Sequence, residues 1–119
     1  MKKTETLDEA FEVTKRPKVD FSNSPDDLRA YFEDQYNAIV LTEAINDGWK
    51  PDMMDTNQKK WFPVFRIDPS SPSGLVFDCS SYYVSYAVAA DASRLCFESE
   101  KASDHAGKTF TEVYKNIIL

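Results

Sequence analysis

The chain holds one histidine, His105, and two cysteines, Cys79 and Cys96. A thiol beside an imidazole would make a nucleophile and its base. Both cysteines fall in strand-like apolar settings, and nothing near them in sequence is set to lower a thiol pKa. His105 lies on the last expected helix, one step from the apolar position Ala106, and reads as a rim residue. One histidine and two cysteines cannot complete a Cys₂His₂ or Cys₄ zinc site within one chain. Asp47, Asp52 and Asp55 surround one loop with Asn46 and Asn57. The EF-hand spacing is absent there and Gly48 is misplaced for it, so these acids read as loop solvation. Paired carboxylates for glycoside hydrolysis have no defining spacing. The glycines Gly48, Gly74 and Gly107 are far apart, so no phosphate-cradling loop is written in the chain. No catalytic residue, metal or cofactor is assigned.

What remains is an aromatic load. Trp49, Trp61, Phe62, Phe65, Phe77, Tyr82, Tyr83, Tyr86 and Phe97 cluster around the expected strands, interleaved with Lys59, Lys60, Arg66 and Arg94. Rings can stack on bases, each worth roughly 1–3 kcal/mol. They serve equally well as core or as a protein interface. The candidate binding residues are Trp49, Trp61, Phe62, Arg66, Tyr82 and Tyr83.

These residues need a scaffold, and the local signals for one are clear. Thr6-Leu7-Asp8-Glu9 reads as a capping box, with Leu7, Ala10, Phe11 and Val13 on one short face and Pro17 as the stop. Such a helix is marginal alone and must dock or fray. Ser24-Pro25-Asp26-Asp27 predicts the start of a long helix over 25–47, with serine as cap and proline in the first turn. Leu28, Tyr31, Phe32, Gln35, Tyr36, Ile39, Val40 and Ile45 recur at three- and four-residue steps as its one face. Gly48 is the expected C-cap, and Pro51 forbids continuation. Glu43 and Asp47 sit at the negative end of this helix, where acids are mildly unfavourable.

From Lys60 the period changes to two. Trp61, Pro63, Phe65 and Ile67 share one face; Lys60, Phe62, Val64 and Arg66 share the other. Pro63 cannot donate to a ladder, so it marks an edge or a bulge. The run Asp68 to Gly74, with two prolines and three serines, is turn chemistry. A second strand follows over 75–79, the stretch 80–92 stays open between extended and irregular chain, and Arg94–Glu98 reads as a third strand. Ser99 caps a last helix with Gly107 inside it, where a close approach to the sheet would leave no room for a side chain. The expectation is an α+β fold. A small antiparallel sheet of about three strands is flanked by a long helix before it and a C-terminal helix after it, plus a short N-terminal helix. Residues 1–119 form one domain, in which 1–23 are a short helix and linker, loosely attached.

Charge narrows the partners. Fourteen basic and twenty acidic residues give a net charge of −6. The imbalance sits in 21–56, where Arg29 and Lys50 face eight acids. A bulk electrostatic grip on nucleic acid is therefore disfavoured. An acidic helix face can solvate or meet a basic partner. No run approaches the roughly 18 apolar residues of a membrane span, and the basic start lacks an apolar stretch after it. Two thiols in apolar settings point to a reducing cytoplasm.

Four segments carry a resemblance: Gly48-Trp49-Lys50-Pro51-Asp52, Gln58 to Phe65, Ser93 to Phe97, and Ala106 to Phe110. Together they resemble small uncharacterised proteins of Bacteroides-type bacteria and their prophages, over about Thr6 to Leu119. Met53 and Val64 stand where such proteins often carry further tryptophans. The resemblance implies a mobile-element setting and supplies no catalytic residue.

The reading that follows is a small non-enzymatic interaction or accessory protein that contacts a protein partner or its own copy. The alternative is a single-stranded nucleic-acid accessory binder using the sheet aromatics. A small enzyme ranks third, because it would need a pocket holding His105 or two convergent carboxylates.

Overall fold

Thr6 opens the first helix as its sequence indicates: the hydroxyl accepts from the amide of Glu9 at 3.2 Å. Glu9 reaches back one residue further than a capping box requires, to the amide of Glu5 at 3.0 Å. This helix, α1, spans Leu7–Thr14 and ends on Lys15 in the left-handed region. The computed structural model describes residues 1–89 and 93–119.

The second helix, α2, spans Arg29–Asn46 and begins four residues later than expected. Ser24 does not cap it. Pro25 to Leu28 close a separate turn, with the Leu28 amide on the Pro25 carbonyl at 3.0 Å. Arg29 then turns back and donates to the carbonyls of Phe21, Ser22 and Ser24 and to the carboxylate of Asp26. The guanidinium thus holds the loop that the serine hydroxyl was expected to terminate. The burial of α2 also differs. Leu28, Tyr31 and Phe32 are each about 40% exposed, and the core is built from Ala38, Val40, Leu41, Ala44 and Ile45. At the far end Asp47, at φ 48°, is the C-cap and Gly48 follows at φ 94°. Aspartate tolerates that conformation better than most residues.

The sheet has two antiparallel strands: β1, Lys60–Ile67, and β2, Leu75–Tyr83. The turn between them closes as its composition indicates, with Asp68 donating to the Gly74 carbonyl and Asp68 Oδ1 accepting from the Ser70 amide and hydroxyl. Those bonds hold the Asp68 carboxyl below its ordinary range. The expected third strand, Arg94–Glu98, is reduced to one bridge. Trp61 and Phe97 exchange both backbone bonds, at 3.0 and 2.8 Å, and the pairing stops. In an antiparallel ladder every second residue points its N–H to the same side. The next such position after Trp61 is Pro63, which has no N–H to give.

A bulge between Val64 and Phe65 leaves Asp78 unopposed on β2. It changes the phase of that strand. Leu75 and Phe77 before it, and Ser80 and Tyr82 after it, therefore share the face of Trp61, Pro63 and Phe65. The stretch 80–92 is strand as far as Tyr83 and irregular from Val84 to Ala89; its remainder, 90–92, lies outside the described residues.

The last expected helix is two. Here α3 spans Glu100–Thr109 and α4 spans Thr111–Ile118, hinged at Phe110 with φ −115° and ψ 32°. Ser99 caps α3, accepting from the Ala102 amide at 3.1 Å. The Thr111 hydroxyl donates to the Gly107 carbonyl at 2.9 Å, a side chain taking a place that a helical amide would have had. The hinge lets Phe110, Val113 and Tyr114 all enter the core.

One face of the hairpin lies on α3 and α4. Gly107 is the point of closest approach. A methyl placed there would sit 2.6 Å from Cε1 of Phe77 and 2.9 Å from Cβ of Pro63. Across the same contact the Ser80 hydroxyl donates to Asp104 at 2.6 Å and lies 2.7 Å from the Ser103 hydroxyl, from which it can accept. Phe65 packs against Phe77 and Tyr114. The core then runs through Phe97, Ala102 and Ala106 to Leu41 and Ile45 of α2. Asn46 ties the end of α2 to the bridge segment: its amide donates to the Cys96 carbonyl and its oxygen accepts from the Glu98 amide. The N-terminal residues cross the same region, with Lys2 donating to the Ile45 carbonyl and Thr4 buried.

Candidate functional site

The aromatic candidates divide over two faces of the hairpin. Trp61 and Tyr82 are cross-strand partners with ring centroids 4.7 Å apart. Lys59 lies over both, 4.7 Å from the Tyr82 centroid and 5.9 Å from that of Trp61. Trp61 leans on the core, while Tyr82 is 44% exposed. On the opposite face Phe62 and Tyr83 stack at 5.1 Å. Arg66 stands further up that face, 3.7 Å from Asp78 at the bulge.

Lys60, expected among the accessible cations, is fully buried. Its ammonium donates to the carbonyls of Asp55, Gln58 and Val84 at 2.8, 3.1 and 3.2 Å. Those three bonds use all three ammonium hydrogens. Lys60 therefore fastens the loop after Gly48 to the end of β2 and offers no charge to a ligand.

Trp49 belongs to another place. It lines a depression of about 290 Å³ between the C-terminal end of α2, the segment after α1, and residues 93–94. Arg16 makes its wall by gripping both oxygens of Glu43, at 2.9 and 2.7 Å. Arg94 approaches the same carboxylate at 3.6 Å, and Lys50 adds its field. The Arg16 hydrogen bonds, with the attraction of Arg16, Arg94 and Lys50, hold the Glu43 carboxyl below its ordinary range against the opposing effect of burial. Three cations meet one acid here, in a chain that is acidic as a whole. Arg16 and Glu43 were not among the sequence candidates. The signal was the misplacement of Glu43: an acid at a helix C-terminus asks for a cation.

His105 is half-buried, with Nε2 2.6 Å from the Thr4 carbonyl oxygen and Nδ1 3.4 Å from the Thr109 hydroxyl. It holds the N-terminal segment against α3. Neither cysteine forms a disulfide. Cys96 is buried as expected, but Cys79 is exposed beside the bulge, which turns it away from the helices. The hydrogen bond with Asp78, then burial and nearby acids, pushes the Cys79 thiol up, away from reactivity. Among the described residues, no group of three or more His, Cys, Asp or Glu converges as metal ligands, and no helix is long and apolar enough to cross a membrane. Asp52 and Asp55 instead accept from the amides of Met54 and Asn57 in their own loop.

Comparison with protein families, with curated proteins and with solved structures finds no match to this chain.

Proposed function

We propose that this chain is a small non-catalytic interaction protein, whose outward end of α2 docks in an apolar groove with a basic rim on a partner protein. One observation carries the reading. Leu28, Tyr31 and Phe32 lie at i, i+3 and i+4, the spacing by which an amphipathic helix anchors in a groove, and all three are about 40% exposed. Tyr31 and Phe32 touch edge to face at 5.9 Å, so they present one joined surface. Beside them in the chain stand Asp26, Asp27, Glu33 and Asp34, and the cation of that stretch, Arg29, is engaged with its own loop. A second copy would bring the same charge to the contact, which opposes self-association through this end.

Capture from cell extract with wild type and with Phe32→Asp, at low and high salt, tests the proposal. The expected result is a protein retained by wild type, released by salt and absent from the variant. Equal recovery by both would overturn it. A wild-type dimer in sedimentation, lost in Phe32→Asp, would overturn it in favour of self-association. A cytoplasmic, mobile-element setting is part of the proposal. It rests on the four motif segments and is supported by two cysteines held apart without a disulfide.

A second reading has its own observation, the stack of Trp61 and Tyr82 beneath Lys59. It makes the chain a single-strand nucleic-acid accessory binder, against the net charge of −6. It expects polarisation of a labelled oligonucleotide at low salt, lost in Tyr82→Ala; no polarisation at low salt removes it.

A further inference from the structure

The depression beside Trp49 has the chemistry of a ligand site that the docking role of α2 does not use. It lies at the opposite end of that helix from Leu28 and Tyr31. Its volume of about 290 Å³ is at the small end of ligand pockets. Trp49, half-buried, supplies a flat apolar wall. Arg16 is committed to Glu43 through two hydrogen bonds. Arg94 is not: its side chain is 66% exposed and meets Glu43 only at 3.6 Å, which leaves most of its donor fork toward solvent. Lys50 is exposed on the same rim. With Glu43 counted, two positive charges remain in excess.

We infer that this depression binds a small organic carboxylate, its apolar or planar body against Trp49 and its charge on Arg94 and Lys50. A guanidinium fork matches a carboxylate in two parallel bonds. Glu43 sets the charge of the ligand. A monoanion is attracted by the excess cations, whereas a dianion such as phosphate brings a second negative charge up to Glu43. The ring wall sets its shape, since a bare inorganic anion makes no use of Trp49.

Benzoate is the probe, and the two tryptophan indole N–H signals in an amide-correlation spectrum are the readout, with Trp49→Phe assigning them. The expected result is a saturable shift of the Trp49 signal with benzoate while the Trp61 signal stays still. Neutral benzamide gives none. Arg94→Gln, at an exposed position where the fold does not depend on it, weakens benzoate at least about tenfold. Lys50→Gln, equally exposed, weakens it less and guards against a local effect of the first variant. Absence of a saturable shift, benzoate binding unchanged in both variants, or phosphate binding as well as benzoate would each overturn the inference. Because Phe32→Asp leaves this end of α2 untouched, the benzoate response is expected to persist in that variant, so the two proposals fail independently.

Discussion

Arg16 and Glu43, twenty-seven residues apart, share two hydrogen bonds at 2.9 and 2.7 Å, and through them the segment after α1 is fixed to the last turns of α2. The pairing is also a pH statement. The folded Glu43 carboxyl lies below its ordinary value because Arg16 donates to both of its oxygens. A depressed folded pKa contributes stability that is present above the unfolded value and is lost as pH falls through the folded one. Glu43→Gln is therefore expected to lower stability at neutral pH, and the gap to wild type is expected to close below about pH 4. Denaturant midpoints across a pH series check this. A gap that persists undiminished in acid would mean that the pair acts by shape alone.

Gly107 exposes a conflict between two effects of known size. Alanine is worth about 1 kcal/mol over glycine inside a helix. Here its methyl would fall under 3 Å from the Phe77 ring and Pro63, and overpacking costs typically about 1–3 kcal/mol. The contact is with a proline and with a half-buried ring packed on Phe65, so the clash outweighs propensity. Gly107→Ala is expected to lower the thermal midpoint, and a raised midpoint would show that the hairpin yields easily.

Lys60→Met keeps the aliphatic stem and removes the ammonium. Three part-buried carbonyls lose the ammonium, that of Asp55 keeping the Gln58 amide, and an acceptor left unpaired costs up to about 1–3 kcal/mol. The loop 51–59 is expected to loosen before the rest of the fold. Limited proteolysis followed by mass spectrometry locates the first cut; cleavage elsewhere first would place the role of Lys60 in the strand instead.

The two halves of α2 are expected to respond differently to truncation. Leu41→Ala, at a fully buried position, costs about 2–5 kcal/mol. Tyr31→Ser, at a position 41% exposed, costs under about 1 kcal/mol. Equal losses in urea unfolding would mean that the outward end is part of the core after all.

Signals confined to a few residues were legible in the sequence: the caps at Thr6 and Ser99, the turn over 68–74, and the crowded glycine at 107. The caps and the turn depend on local chemistry that no distant contact overrides; Gly107 was legible because a glycine inside a helix is costly unless a neighbour crowds it. The α+β class followed from the order of the elements. What was lost depends on partners far along the chain. The third strand fails because Pro63 points its missing N–H toward it. The face expected for α2 is only in part the buried one: Val40 and Ile45 are in the core, whereas Leu28, Tyr31 and Phe32 are about 40% exposed and Ala38, Leu41 and Ala44 take their place. The bulge at Asp78 has no such marker, since apolar residues stand at odd and even positions on both sides of it, at Leu75, Val76 and Phe77 and at Tyr82 and Tyr83. The Trp49 depression draws on residues 16, 43, 50 and 94, which no single window joins.

The proline in β1 has a further consequence for how copies of this protein treat one another. A bare strand margin invites a neighbouring chain to add itself, rung by rung. Along β1 that margin is interrupted at Pro63, and along β2 it carries the exposed side chain of Asp78, beside Arg66, at the kinked bulge. Each border of the hairpin thus has its own deterrent to fibrous growth, and a Pro63→Val change would remove one of them.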